Sequence, residues 1–290
     1  IPKNKKSSLA AKARRPMKAV SSRKLGGAEW NYVLSESNVL VLDMPKFRID
    51  GGKWQKASEI LQVDRKVRDT MNIRHRGGAM VQPWAQKKNP SPATKCVELE
   101  YEFNVKTIPS GELFFAIEMP SLYKVFINGV ELDRTCENGW WVDLSLRKLP
   151  VDPTMLHVGA NIIRLETLYN ENHPGFEMVY LLGNFGVAVK NCDVTMTVLP
   201  EKLKLGSWTN QGLPFYSGNV GYRALVNKPA AGKKVFITIG EYRGIAIEVM
   251  VNGESAGVIG WGAGNEVEIT KLLKLDKNEV TVKVLGHRRN

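Results

Sequence analysis

Seven tryptophans, and the polar residues set beside some of them, are the side chains of this sequence best suited to chemistry. Trp208 is followed by Asn210, Gln211, Phe215 and Tyr216, and Glu241-Tyr242-Arg243 places an acid, a ring and a base in succession. Trp261 lies within Gly260–Gly264, and Trp140-Trp141 follow Asn138-Gly139. A ring offers a flat apolar face, and amides and charges offer hydrogen bonds at its border. This combination binds rather than reacts, and it suits a polyhydroxylated ligand such as a sugar. The candidate carbohydrate-binding residues are therefore Trp261, Tyr216, Trp208, Asn210, Glu241, Arg243 and Trp140. The same rings also suit a core or a domain contact, Phe215 and one of Trp140 and Trp141 most of all.

Covalent and acid–base chemistry is poorly provided for. Glu98 and Glu100, and Glu266 and Glu268, alternate along candidate strands and share a face. Glu118 and Glu241 end two similar segments. A solvated strand face explains such acids more simply than the paired carboxylates of a glycosidase. The four histidines, His75, His157, His173 and His287, are scattered, and no G-x-S-x-G elbow or phosphate-cradling loop is present. Cys96, Cys136 and Cys192 are far apart and form no CxxC pair, which argues against zinc and for buried free thiols. No cofactor is expected; a structural calcium is the minor alternative, without an Asp-rich loop to mark it.

The elements that must position these residues read as mostly β. Residues 38–43 and 46–54 read as strands, and Ile60, Val63, Val67 and Met71 predict a helix over 58–71 with Ser58 as N-cap. From residue 97 short strands recur about every ten residues: 97–105, 111–118, 123–128, 140–146, 161–168, 178–189, 192–198, 220–226, 234–240, 245–251, 257–261, 266–269 and 278–285. That spacing argues for β-sandwiches. An internal repeat strengthens the reading. YKVFINGVEL (Tyr123–Leu132) and IEVMVNGESAGV (Ile247–Val258) each carry Asn-Gly, the pair that a type I′ hairpin favours. LFFAIE and VFITIGE precede them; WWVDLSL and NEVEIT follow. Asn161 and Asn278 then open matching final strands, with the offset falling from 124 at the Asn-Gly pairs to 117 here.

Charge is unevenly spread. There are 41 basic and 29 acidic residues, and the nine basic residues within positions 1–27, which hold no acid, take the net charge from +12 to +3 for the remainder. A body so mildly basic is not that of a specific nucleic-acid binder, and no apolar run is long enough to span a bilayer. The expected divisions are a basic tail at 1–28, a small mixed segment at 29–95, and β-sandwiches at 96–190 and 191–290. The chain opens with Ile1 and lacks a signal-peptide apolar region, so a fragment or processed product is expected, with secreted, periplasmic and cytoplasmic locations all open.

The order of strand, strand, Asn-Gly hairpin, acidic strand and Leu-x-x-Gly-x-Asn resembles the galactose-binding-like jelly-roll sandwich of glycoside hydrolase family 2. Trp208–Gly218 with Tyr222-Arg223, Gly240–Val251, Asn38–Asp43, Asp50–Gly52 and Gly77–Trp84 are similar to the C-terminal half of large rhamnosidase-like bacterial enzymes. The resemblance implies two consecutive jelly-roll sandwiches after a small mixed segment and a basic tail. It also implies a non-catalytic accessory region that supports a catalytic barrel absent from this sequence and contacts oligo- or polysaccharide. The alternatives are a structural module without ligand, and a binder of anionic polymers through the tail.

Overall fold

The computed structural model describes residues 22–75, 84, 94–229, 232–262 and 264–286. The segment 1–21 of the basic tail and most of the Gly77–Trp84 motif lie outside the described residues. The chain is mostly β, with one α-helix among the described residues. Three strands come first, β1 (Asn31–Leu34), β2 (Asn38–Leu42) and β3 (Lys46–Ile49), then helix α1 (Ile60–Thr70). Ten strands follow: β4 (Lys95–Val105), β5 (Leu113–Glu118), β6 (Tyr123–Ile127), β7 (Val130–Glu131), β8 (Trp140–Trp141), β9 (Asp143–Val151), β10 (Gly159–Tyr169), β11 (Val179–Gly183), β12 (Gly186–Lys190) and β13 (Asp193–Thr197). The last six are β14 (Val220–Asn227), β15 (Phe236–Thr238), β16 (Ala246–Val251), β17 (Glu254–Ile259), β18 (Glu266–Glu268) and β19 (Lys277–Leu285).

In the first sandwich one sheet runs β12-β13-β4-β10-β6-β7, with β3 also paired to β4, and the opposing sheet runs β2-β11-β5-β9-β8. Leu99, Tyr101, Phe115, Leu149, Ile163 and Leu181 fill the space between them. Helix α1 adds Ile60, Val63 and Val67, as its apolar spacing predicts. Its cap is Glu59 rather than Ser58: the Glu59 carboxylate accepts from Leu61 N at 3.0 Å and Gln62 N at 3.1 Å. An anion at a helix N-terminus is favoured, and Ser58 Oγ instead accepts from Lys66 Nζ at 2.7 Å. A buried ion pair anchors the helix. Arg68 Nε meets Asp64 Oδ2 at 2.9 Å and Arg68 also donates to His173 O at 2.9 Å, while Tyr169 Oη and Phe176 N donate to Asp64 Oδ1.

The second sandwich has a sheet of order β1-β14-β19-β16-β17, faced, among the described residues, by two strands, β15 and β18. Residues 29–95, expected as a small mixed segment, contribute β1 to the second sandwich and β2 and β3 to the first. Strand β13, expected in the second sandwich, pairs with β4 in the first and buries Met196 there. The strand expected over 178–189 breaks into β11 and β12, which join opposite sheets. The crossing is tight: a Cβ on Gly186 would come within 2.5 Å of Val198 O. All three cysteines are free, but Cys136, at the end of a short 3-10 helix, and Cys192, on a turn, are exposed rather than buried.

The repeat is built on one recurring polar clamp. Asn128 and Asn252 occupy left-handed positions (φ 50° and 53°) ahead of Gly129 and Gly253 (φ 85° and 86°), giving the type I′ hairpins that the sequence predicts. Asn128 Nδ2 donates to Asn161 Oδ1 at 2.8 Å, and Asn252 Nδ2 donates to Asn278 Oδ1 at 2.8 Å. Asn161 and Asn278 are fully buried. Asn161 Nδ2 donates to His157 O and Gly159 O, and Asn278 Nδ2 to Lys274 O and Asp276 O. Removing such a side chain strands several buried carbonyls and amides. Asn278→Ala should destabilise the second sandwich by about 3 kcal/mol and leave the first sandwich's unfolding unchanged. Urea unfolding, followed by tryptophan fluorescence and by protease protection of fragments, checks this; a wild-type curve would contradict the clamp.

Candidate functional site

The second sandwich is covered unevenly. At one flank β15 and β18 bring Ile237, Val267 and Ile269 onto Ile247, Val249, Ile259 and Val280. At the other flank the chain between β13 and β14 brings Leu203, Leu213 and Tyr216 onto Trp30, Val220 and Tyr222. Between these covers lies an open groove of about 2130 Å³. Its floor is apolar, with Tyr222, Val226, Ile247, Val282 and Val284; Trp208, Tyr242 and Phe236 stand along its sides. Around it, among the described residues, are six exposed cations, Arg23, Lys24, Lys228, Lys233, Lys234 and Arg243, against three carboxylates, Glu241, Glu266 and Glu268. Trp30 also lines the groove, and its buried Nε1 has no hydrogen-bond partner among the described residues.

Four of the seven sequence-derived candidates meet here: Trp208, Tyr216, Glu241 and Arg243. They do not play equal parts. Trp208 is half-buried, with Nε1 donating to Tyr216 O at 3.2 Å, which fixes the indole at the wall. Glu241 and Arg243 are exposed and lie within a segment without regular structure after β15. Tyr216 is buried, so its ring face is not offered to a ligand. Its hydroxyl accepts from Ser35 N at 3.0 Å and donates to Asn219 O at 2.9 Å, and burial raises its pKa. Tyr216 therefore ties β1 to the turn before β14.

The other three candidates lie elsewhere. Asn210 is exposed on the same single turn of 3-10 helix as Trp208 but does not line the groove. Its neighbour Gln211 spends its amide on the loop itself, accepting from Lys204 N at 2.7 Å and donating to Lys204 O and Ser207 O. Trp261 is fully exposed just beyond β17, outside the groove. Trp140 belongs to the first sandwich, where it is about half exposed while Trp141 packs on Tyr180 with ring centroids 5.0 Å apart. Sequence reasoning missed Phe236, Lys233, Lys234, Val282 and Val284. The alternation Val280, Val282, Val284 signals an inward face but not whether anything covers it.

Two of the candidate acids are held by cations. Glu98 is buried in a two-pronged contact with Arg48, at 2.7 and 2.6 Å. Glu266 and Glu268 share one face of β18 in the groove, and Lys234 Nζ, 3.1 Å from Glu268, holds that carboxyl below the ordinary range. A glycosidase acid needs the opposite shift. Among the described residues no three His, Cys, Asp or Glu side chains converge as a metal site requires, and no helix is long and apolar enough to cross a membrane.

By fold this is a mostly β chain of two sandwiches, and no protein-family model and no curated protein matches it. Solved structures with some likeness include a family 2 β-galacturonidase of Eisenbergiella tayi, at 9% identity and a TM-score of 0.30 over 89% of this chain and 38% of that one. The α-L-rhamnosidase of Streptomyces avermitilis is 11% identical with a TM-score of 0.31, over 89% of this chain and 25% of that one. The pilus backbone protein RrgB of Streptococcus pneumoniae is 11% identical with a TM-score of 0.27, over 82% and 83% of the two chains. This chain thus spans well under half the length of both glycoside hydrolases.

The placement of Tyr216 gives a direct check. Tyr216→Phe should cost about 1 kcal/mol of stability, because it removes the hydroxyl shared by Ser35 N and Asn219 O and leaves these two only their own bond at 3.1 Å. The wild-type midpoint in thermal unfolding would show that this hydroxyl holds nothing.

Proposed function

We propose that this chain is a non-catalytic accessory β-sandwich region of glycoside-hydrolase type, which contacts carbohydrate along the rim of the groove and supports a catalytic domain. The observation that carries the reading is the groove itself. It sets the wall indole of Trp208 and the exposed Glu241 and Arg243 around one concave surface. The indole offers apolar area to the C–H face of a sugar ring, and the two charged side chains offer a donor and an acceptor to its hydroxyls. The order of strands and Asn-Gly hairpins, which resembles the sugar-binding sandwiches of family 2, supports the same reading. The low-held carboxyl of Glu268 favours binding over acid catalysis in this groove. The cationic surround favours sugars that carry carboxylates or sulfates.

A glycan array followed by titration calorimetry tests this. The intact chain should bind, with acidic glycans ahead of neutral ones, and Arg243→Ala and Trp208→Ala should each weaken binding about tenfold, or ~1.4 kcal/mol. Trp261→Ala and Trp140→Ala should leave it unchanged. Binding lost only with Trp261→Ala or Trp140→Ala would move the site off the groove. No glycan binding by protein with wild-type circular dichroism would sink the reading.

A further inference from the structure

The two sandwiches agree in one sheet and differ in the other. Strands β4, β10, β6 and β7 lie side by side in the same order as β14, β19, β16 and β17. In the first sandwich the opposing sheet runs β2-β11-β5-β9-β8, with β11 antiparallel to β5 from Tyr180↔Ala116 to Gly183↔Leu113. In the second the opposing sheet is β15-β18. The repeat equates β15 with β5 and β18 with β9. What the second sandwich lacks, among the described residues, is therefore the pair of strands that β11 and β2 supply in the first.

The register of the repeat carries this to single residues. Asn161 corresponds to Asn278, so Leu165 and Thr167 correspond to Val282 and Val284. Leu165 is 1% and Thr167 4% exposed, whereas Val282 and Val284 are only half-buried and line the groove. Leu113 to Ile117 of β5 are all buried, while Phe236 of β15 is 36% exposed. The backbone of β15 is open as well. Ile269 N donates to Val235 O and Ile239 N to Asn265 O, which sets the antiparallel alternation. The N–H and C=O groups of Phe236 and Thr238 then point away from β18, to an edge that no described strand pairs.

An unpaired edge beside a half-covered apolar floor is what strand addition uses. We propose that the second sandwich is a strand acceptor. An extended segment of a partner polypeptide adds antiparallel to the β15 edge, as β11 adds to β5, and covers Val282 and Val284. Its alternate residues are apolar, to face the floor. The residues between them are acidic, because among the described residues cations outnumber carboxylates two to one around the groove. A polypeptide fits where a glycan does not, since only a peptide backbone supplies the alternating ladder that Phe236 and Thr238 leave open. This goes beyond the carbohydrate reading, which uses the rim and not the β15 edge.

The probe is a fluorescein-labelled nine-residue peptide in which valine and leucine alternate with glutamate. Two controls replace glutamate by lysine, or the central residue by proline, which has no N–H to add to a ladder. The intact chain should bind the glutamate peptide in fluorescence anisotropy, and binding should slow amide exchange at Phe236 and Thr238 at least tenfold. The proline and lysine peptides should bind at least tenfold more weakly, and so should the glutamate peptide to Lys233→Glu, an exposed site whose change leaves the fold intact. No binding to folded protein, equal binding of the proline peptide, or binding without protection of Phe236 and Thr238 would each overturn the proposal. Glycan affinity of the same protein is read separately, so either reading can fail without the other.

Discussion

A sheet with one apolar face has to be covered, and among the described residues the second sandwich sets two strands against five. Everything distinctive in that half of the chain follows from this shortfall. The two strands suffice for the β16–β17 flank, where Val249, Ile259 and Val267 are buried. The β1–β14 flank is covered by irregular chain, which uses Leu203, Leu213 and Tyr216 in place of a sheet. Val282 and Val284 pack against the edges of these covers without being buried by them, so an apolar strip of the central strand stays half open. The first sandwich meets the same requirement with five opposing strands plus helix α1, and its core is continuous.

The asparagine clamps make the two halves comparable. Each pins the Asn-Gly hairpin to the start of the sandwich's last long strand, with both side-chain amides fully used. Buried polar groups of this kind specify a register, because a slip of one residue would leave them all unpaired. The clamp is equally well formed in both sandwiches, so the groove does not come from a looser sheet. It comes from what lies opposite a sheet of the same design.

Much of this was legible in the residues. Strand spacing and the Asn-Gly pairs give the hairpins and the long strands because both signals are local. The helix was legible from Ile60, Val63 and Val67, but its cap was not, since Ser58 and Glu59 both carry oxygen acceptors and only geometry selects the carboxylate. The break between β11 and β12 falls at Gly183-Asn184, a turn signal set within an otherwise apolar stretch. At the site, Trp208, Glu241 and Arg243 line one surface although they come from separate loops. Tyr216 and Gln211 do not offer their polar groups, because a loop that replaces a sheet must satisfy its own backbone and draws on nearby side chains. The openness of Val282 and Val284 left no local trace: covered and uncovered strands alternate alike.

The claim on which the account rests is that the second sandwich exposes what the first covers. Thiol-labelling rates test it most directly, in a chain whose three native cysteines are replaced by serine. Val282→Cys and Val284→Cys should react with a maleimide in the native state much faster than Leu165→Cys and Thr167→Cys, which should react only as the protein unfolds. Equal protection at all four positions would mean that the floor of the groove is already covered, and would contradict both the groove and the incomplete second layer.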